Sequence, residues 1–158
     1  MKIDKKFQLG VTLIELIVVI SISITLLGIA TIGLSGAQRT ASTNSTAQTI
    51  ISDIKEQQIK AMIGDTEGRS SPDFYGVHFD ANQYVLFHGT VYSSSDTSNY
   101  VISLSNLKFV SPGFDVIFSK ISGEIVSSVV IQLQDIPTGK LRKIHLSQYG
   151  VVTQMESL

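Results

Sequence analysis

At 158 residues, with 12 Lys and Arg against 13 Asp and Glu and no cysteine, the chain has a formal net charge of −1. That balance does not favour a general affinity for nucleic acid or anionic membrane. The missing thiols exclude a disulfide framework and a thiolate metal site, and the length leaves room for one modest domain beyond an apolar segment near the start.

The first ten residues form a short basic leader, with Lys2, Lys5 and Lys6 against Asp4. From Leu16 to Leu34 every residue is Leu, Ile, Val, Ser, Thr, Gly or Ala. At a rise of about 1.5 Å per residue this run matches the thickness of a bilayer core and predicts one transmembrane helix. Ser21, Ser23 and Thr25 are compatible with it, because a hydroxyl can bond back to a carbonyl of its own helix. The lysines place the leader on the cytoplasmic side and the rest of the chain, after the span, outside.

Glu15 is the anomaly. No other acid or base lies between Lys6 and Arg39. A carboxylate in lipid costs about 2.5–3.5 kcal/mol on insertion scales and calls for a partner. A cut after Gly10 would create one. Val11 would then carry an α-amino group, a cation at neutral pH, about one helical turn from Glu15.

These residues carry a family resemblance. The leader and Gly10-Val11-Thr12-Leu13-Ile14-Glu15-Leu16 resemble the class III signal sequence of type IV pilins and pseudopilins, which usually have Phe at the position of Val11. The resemblance implies that a prepilin peptidase cuts after Gly10 and N-methylates Val11. It implies that Glu15 then pairs with the N-terminus of a neighbouring subunit during filament assembly. Two other possibilities remain at this level: a plain signal-anchor in which Glu15 snorkels to the headgroups, and a secretory signal cut at Ala37 or Ala41.

Beyond the apolar run, Gly28, Gly33 and Gly36 serve either as flexible points or as close-packing sites. From Gln38 the composition turns polar. Ala47, Ile50, Ile51, Ile54, Gln58, Ala61 and Met62 recur at helical spacing, predicting an amphipathic helix to Ile63 that stops at Gly64. Asn44-Ser45-Thr46 fits a glycosylation triplet but reads more simply as helix-linker sequence.

After a polar loop to Asp73 the period becomes two. Strands are predicted at Tyr75–Phe79, Gln83–Phe87, Tyr100–Leu104, Lys108–Val110, Asp115–Phe118, Ser128–Leu133, Arg142–Ser147 and Val151–Gln154. Asp80-Ala81-Asn82 is a hairpin signal, and residues 93–99 are too polar to pack. The fold class is α+β: a long N-terminal helix, transmembrane then amphipathic, packed against a small antiparallel β-sheet head. The expected organisation is a leader over 1–10, a membrane or filament-core helix over 11–37, an amphipathic helix over 38–63 and a β-rich globular head over 64–158.

This order sharpens the resemblance. Tyr75-Gly76-Val77-His78-Phe79, Tyr84-Val85-Leu86-Phe87, the Phe118 to Gly123-Glu124 turn and Arg142-Lys143-Ile144-His145-Leu146 leading to Gly150-Val151-Val152 look like GspH/FimT-type minor pseudopilins and minor pilins. The implied fold is pilin-like. The implied role is a structural subunit of a type IV pilus or type II secretion pseudopilus, held in the bacterial inner membrane by a single span. Its implied partners are prepilin peptidase, other pilin or pseudopilin subunits and an inner-membrane assembly platform.

Enzyme signatures are lacking. His78, His88 and His145 have no second ligand at a metal-binding interval, and Asp115 and Asp135 look isolated. There is no Gly-x-Ser-x-Gly elbow, phosphate loop or dinucleotide fingerprint, so neither catalysis nor a cofactor is expected. Lys140, Arg142 and Lys143, with His145, form a basic cluster in the sequence. FimT-like minor pilins of DNA uptake use basic residues in this region, so DNA contact through these three cations is the alternative function. The bland counterpart is a strand whose alternate residues face water, balanced by Asp135 and Glu156.

Overall fold

The computed structural model describes residues 10–157, with the side chains of residues 31–37 and 39 set aside. The leader expected over 1–10 therefore lies outside the described residues except for Gly10. The chain divides into two compact units, one up to Ser42 and one from Thr43, and helix α1 (Leu13–Ile63) contributes to both.

In the first unit α1 starts after Thr12. The Thr12 hydroxyl accepts the Glu15 N–H at 3.3 Å and the Thr12 carbonyl accepts the Leu16 N–H at 3.1 Å, which makes Thr12 the N-cap. Ser21, Ser23 and Thr25 donate to the carbonyls of Ile17, Val19 and Ser21, each at 2.8 Å. The hydroxyls of an otherwise apolar run are thereby satisfied within the helix. Residues Leu13–Ala30 have a mean hydropathy of 2.6 and none of this stretch is buried. Among the described residues one helix is thus long and apolar enough to cross a membrane.

In the second unit the apolar stripe of α1 supplies the floor of a core. Ala47, Ile50, Ile51, Ile54 and Ala61 are buried as the spacing predicts. Two positions differ: Gln57 is buried, while Gln58 is part-exposed and Met62 is exposed. Gln58 instead works as a staple. Its amide donates to the carbonyls of Gly123 at 3.0 Å and Tyr149 at 2.7 Å, tying α1 to two separate turns. Both turns need glycine here. Gly123 and Gly150 hold positive φ of 64° and 70°, and a Cβ would collide with Met62 at the first and with Gln58 at the second. Gln58→Ala strands two carbonyls, so the fragment 38–158 should lose about 1–2 kcal/mol in urea unfolding; an unchanged midpoint would remove the staple's role.

Gly64 ends α1 in a Schellman motif: its N–H bonds the Ala61 carbonyl, the Asp65 N–H bonds the Lys60 carbonyl, and its φ is +68°. Eight strands follow: β1 (Tyr75–Phe79), β2 (Gln83–His88), β3 (Tyr100–Ser103), β4 (Leu107–Phe109), β5 (Phe114–Phe118), β6 (Val129–Asp135), β7 (Leu141–Leu146) and β8 (Val152–Ser157). Their bounds fall within one residue of the alternation, except that β6 ends two residues and β8 three residues further on. The α+β class holds, but the strands do not make one small sheet. They form two antiparallel four-stranded sheets, in the orders β3-β2-β1-β5 and β4-β6-β7-β8. The chain leaves the first sheet after β3 for β4, returns to it with β5 beside β1, and then stays in the second from β6 on. The chain turns at Asn106, whose φ is +61°, and β4 pairs with β6 rather than with its predecessor.

One core joins α1 and both sheets. Phe79 of β1 sits at its centre, 4.9 Å from the ring of Phe114, 5.0 Å from Phe109 of the other sheet and 6.3 Å from Tyr84. On the outer face of the first sheet, Gly76 lies opposite Phe87, and a Cβ there would come within 2.7 Å of that ring.

Candidate functional site

The residues singled out for processing and assembly lie at the start of α1. Gly10, Val11 and Thr12 precede the helix, and Val11 is 72% exposed. The Gly10–Val11 bond therefore sits in non-helical, accessible backbone, the form in which a peptide bond can enter a protease cleft. Glu15 falls at the third position of the helix, inside its first turn. The free N–H groups there carry a partial positive charge that favours a carboxylate. Thr12 and Glu15 also have the spacing of a capping box, Thr-x-x-Glu. The sequence contained this signal, and reading Glu15 only against its apolar surroundings passed over it. Cleavage after Gly10 would leave the new amine one residue ahead of the cap and four residues from Glu15.

The C-terminal cations separate rather than converge. Strand alternation puts Arg142 on the face of β7 that carries buried Ile144 and Leu146, and Lys143 and His145 on the other face. Lys143 stands opposite Glu156, whose carboxylate lies 3.8 Å from His145. Lys140 is in the turn before the strand. Asp135 is not isolated: buried at the end of β6, it accepts from the Thr138 N–H and hydroxyl, both at 2.9 Å, and from the Thr43 hydroxyl at 3.2 Å.

Asp115 is not isolated either. It meets Nδ1 of His78 at 2.6 Å across β1 and β5, and the His78 ring stacks on Tyr92 with centroids 4.0 Å apart. His88 is held from both sides, by Asp73 at 3.1 Å on Nδ1 and by Asp96 at 3.2 Å and Ser98 at 2.8 Å on Nε2. Its Asp–His–Ser order resembles a catalytic relay, but both the Ser98 hydroxyl and its N–H are bonded to Asp96. Ser98 is thereby a loop tie, fixing the 93–99 loop to β2. Among the described residues no group of three His, Cys, Asp or Glu is placed to hold a metal ion.

The His88 clamp has a pH signature. Burial alone would raise the Asp73 pKa, but hydrogen bonds from His88 and the Phe74 N–H outweigh it, leaving the carboxyl below its usual value. Asp96 is lowered by its hydrogen bonds to the hydroxyl and N–H of Ser98. A carboxyl with a lowered folded pKa contributes stability that is complete above the unfolded pKa and lost as pH falls through the folded one. The urea midpoint of the 38–158 fragment should therefore fall below about pH 4, with a smaller drop in Asp73→Asn. Equal slopes for the two proteins would separate the clamp from acid stability.

Compared with protein-family models, curated proteins and solved structures, the chain gives no significant match in any of the three.

Proposed function

We propose that this chain is a minor pilin or pseudopilin, a structural subunit of a type IV pilus or type II secretion pseudopilus rather than an enzyme. One observation carries this: a single carboxylate, Glu15, in the first turn of a wholly unburied apolar helix, four residues past the exposed, non-helical Val11. In this proposal prepilin peptidase cuts after Gly10 and N-methylates Val11. The apolar run first anchors the chain in the bacterial inner membrane with its head outside. It then packs against sibling subunits as the assembly platform extracts it. Glu15 docks on a neighbour's terminal amine and sets the axial register.

Intact-mass measurement of the membrane-extracted chain, from cells with and without a prepilin peptidase, tests the proposal. The expected product begins at a methylated Val11 only when the peptidase is present. A chain still starting at Met1, or one cut at Ala37 or Ala41, would overturn it.

A further inference from the structure

Among the described residues Ile121 is the one β-branched residue with a left-handed backbone, at φ +74°. Its Cβ crowds its own backbone there, where Gly or Asn would be relaxed. It is also 77% exposed, so burial of the side chain does not offset the strain. The surrounding turn is closed tightly. The Ser119 N–H bonds the Glu124 carbonyl at 2.9 Å, the Gly123 N–H bonds the Ser119 carbonyl at 2.8 Å, and the Ile121 N–H bonds the Ala61 carbonyl of α1 at 2.9 Å. Strain of this kind persists where the surrounding structure over-determines it, and it clusters at functional surfaces.

Ile121 belongs to a larger apolar surface. On one side, α1 borders a cleft of about 360 Å³ with Asp53, Glu56, Gln57 and Lys60. Further round the helix, Ile59, Met62 and Ile63 share a face by their i, i+3, i+4 spacing and are 55%, 47% and 71% exposed. Met62 packs under the strained turn, since a Cβ on Gly123 would come within 2.5 Å of its Cγ. Tyr149, 60% exposed, sits on the next turn, whose carbonyl Gln58 ties to α1. Five large side chains from three segments thus expose on the order of 500 Å², near the upper end for the largest apolar patch of a monomer.

The rim selects the partner. Lys55 lies one turn before Ile59, Lys120 beside Ile121 and Glu124 at the other end of the turn, all three exposed. Among the described residues none of them is in an ion pair. An anionic lipid surface or an acidic partner would favour a rim of cations alone. A two-fold contact instead brings residue i against j and j against i, so it needs both signs around an apolar centre. Two such patches face to face would bury about 1,000 Å², the threshold of a specific interface. We propose that this surface docks on the same surface of a second copy of the chain, with the apolar side chains at the centre and Glu124 of each copy facing the lysines of the other.

The test uses the full chain in dodecylphosphocholine micelles. The sequence has no cysteine, so Val126→Cys, at a fully exposed position, carries a single spin label. That chain is titrated into ¹⁵N-labelled parent, and broadening between molecules is read. It should concentrate at the Ile59, Met62, Ile63, Ile121 and Tyr149 amides and saturate with a dissociation constant of roughly 0.1–1 mM. Ile121→Gly, which relaxes the backbone, should weaken pairing at least tenfold with the spectrum away from the turn unchanged. Ile59→Ser should do the same and remains informative if Ile121→Gly rearranges the turn. Glu124→Lys, and separately Lys55→Glu with Lys120→Glu, should each abolish self-pairing, whereas a mixture of these two chains should pair. Three results would overturn the proposal: no broadening at the patch, parental affinity in both Ile121→Gly and Ile59→Ser, or undiminished self-pairing of both charge-reversed chains.

Discussion

Glu15→Gln should leave cleavage after Gly10 intact and yet keep the chain out of filaments. Two roles meet at this residue, and glutamine separates them. In the first turn of α1, following the Thr12 cap, a carboxylate interacts with the helix terminus for about 0.3–1 kcal/mol, and glutamine also serves at this position of a capping box. That contribution is too small to decide assembly. The proposed docking is larger. An unpaired carboxylate in apolar surroundings costs about 2.5–3.5 kcal/mol, and a unit charge pair at 4 Å is worth roughly 4 kcal/mol at an effective dielectric of 20. Losing even 3 kcal/mol of that pairing lowers incorporation by about two orders of magnitude. Immunoblots of sheared filaments against membranes measure the ratio, and the same blots report the processed size. Parental incorporation of Glu15→Gln would show that the helix cap suffices and that no charge pairing operates.

Phe79→Ala should be the most damaging single truncation in the second unit, costing the 38–158 fragment about 3–5 kcal/mol in urea. Small domains are stable by only about 5–15 kcal/mol, so this removes a large share. The size of the effect follows from position. Phe79 is fully buried and its ring meets Phe114 and Tyr84 of its own sheet and Phe109 of the other. Truncation opens a cavity where the two sheets join, and neighbours fixed in separate hydrogen-bonded ladders cannot collapse into it. Val101→Ala, at a half-exposed position of edge strand β3, should change stability by less than about 0.5 kcal/mol. A cost below 1 kcal/mol for Phe79→Ala would mean that the sheets are held together elsewhere.

The helix was the most legible element because its signals are local. Gly64 closes α1 where the periodicity stops, and Ser21, Ser23 and Thr25 bond back within their own turns. The exchange of Gln57 for Gln58 marks the limit of that legibility. Adjacent residues on a helix differ by about 100° in direction, and either could border the apolar stripe. Only the turns at Gly123 and Tyr149 decide that Gln58 reaches out while Gln57 turns toward the cleft. The basic cluster shows the converse. Lys140, Arg142 and Lys143 are adjacent in sequence, but alternation along β7 sends Arg142 and Lys143 to opposite faces. Asp115 looks solitary because its partner His78 comes from far away in the chain, whereas Asp135 adds the distant Thr43 to a local partner, Thr138, that its own turn supplies.

The sequence by itself determined the apolar span, the isolation of Glu15 within it, the amphipathic continuation of the helix and the approximate positions of all eight strands. Each depends on contacts within a few residues, where periodicity and capping chemistry are written directly. The tertiary structure alone decided that the strands divide into two sheets, that His88 is gripped between Asp73 and Asp96, and that a cleft opens beside α1. Those features rest on pairings between distant residues. A period of two says which residues of a strand share a face, but not which strand lies beside it.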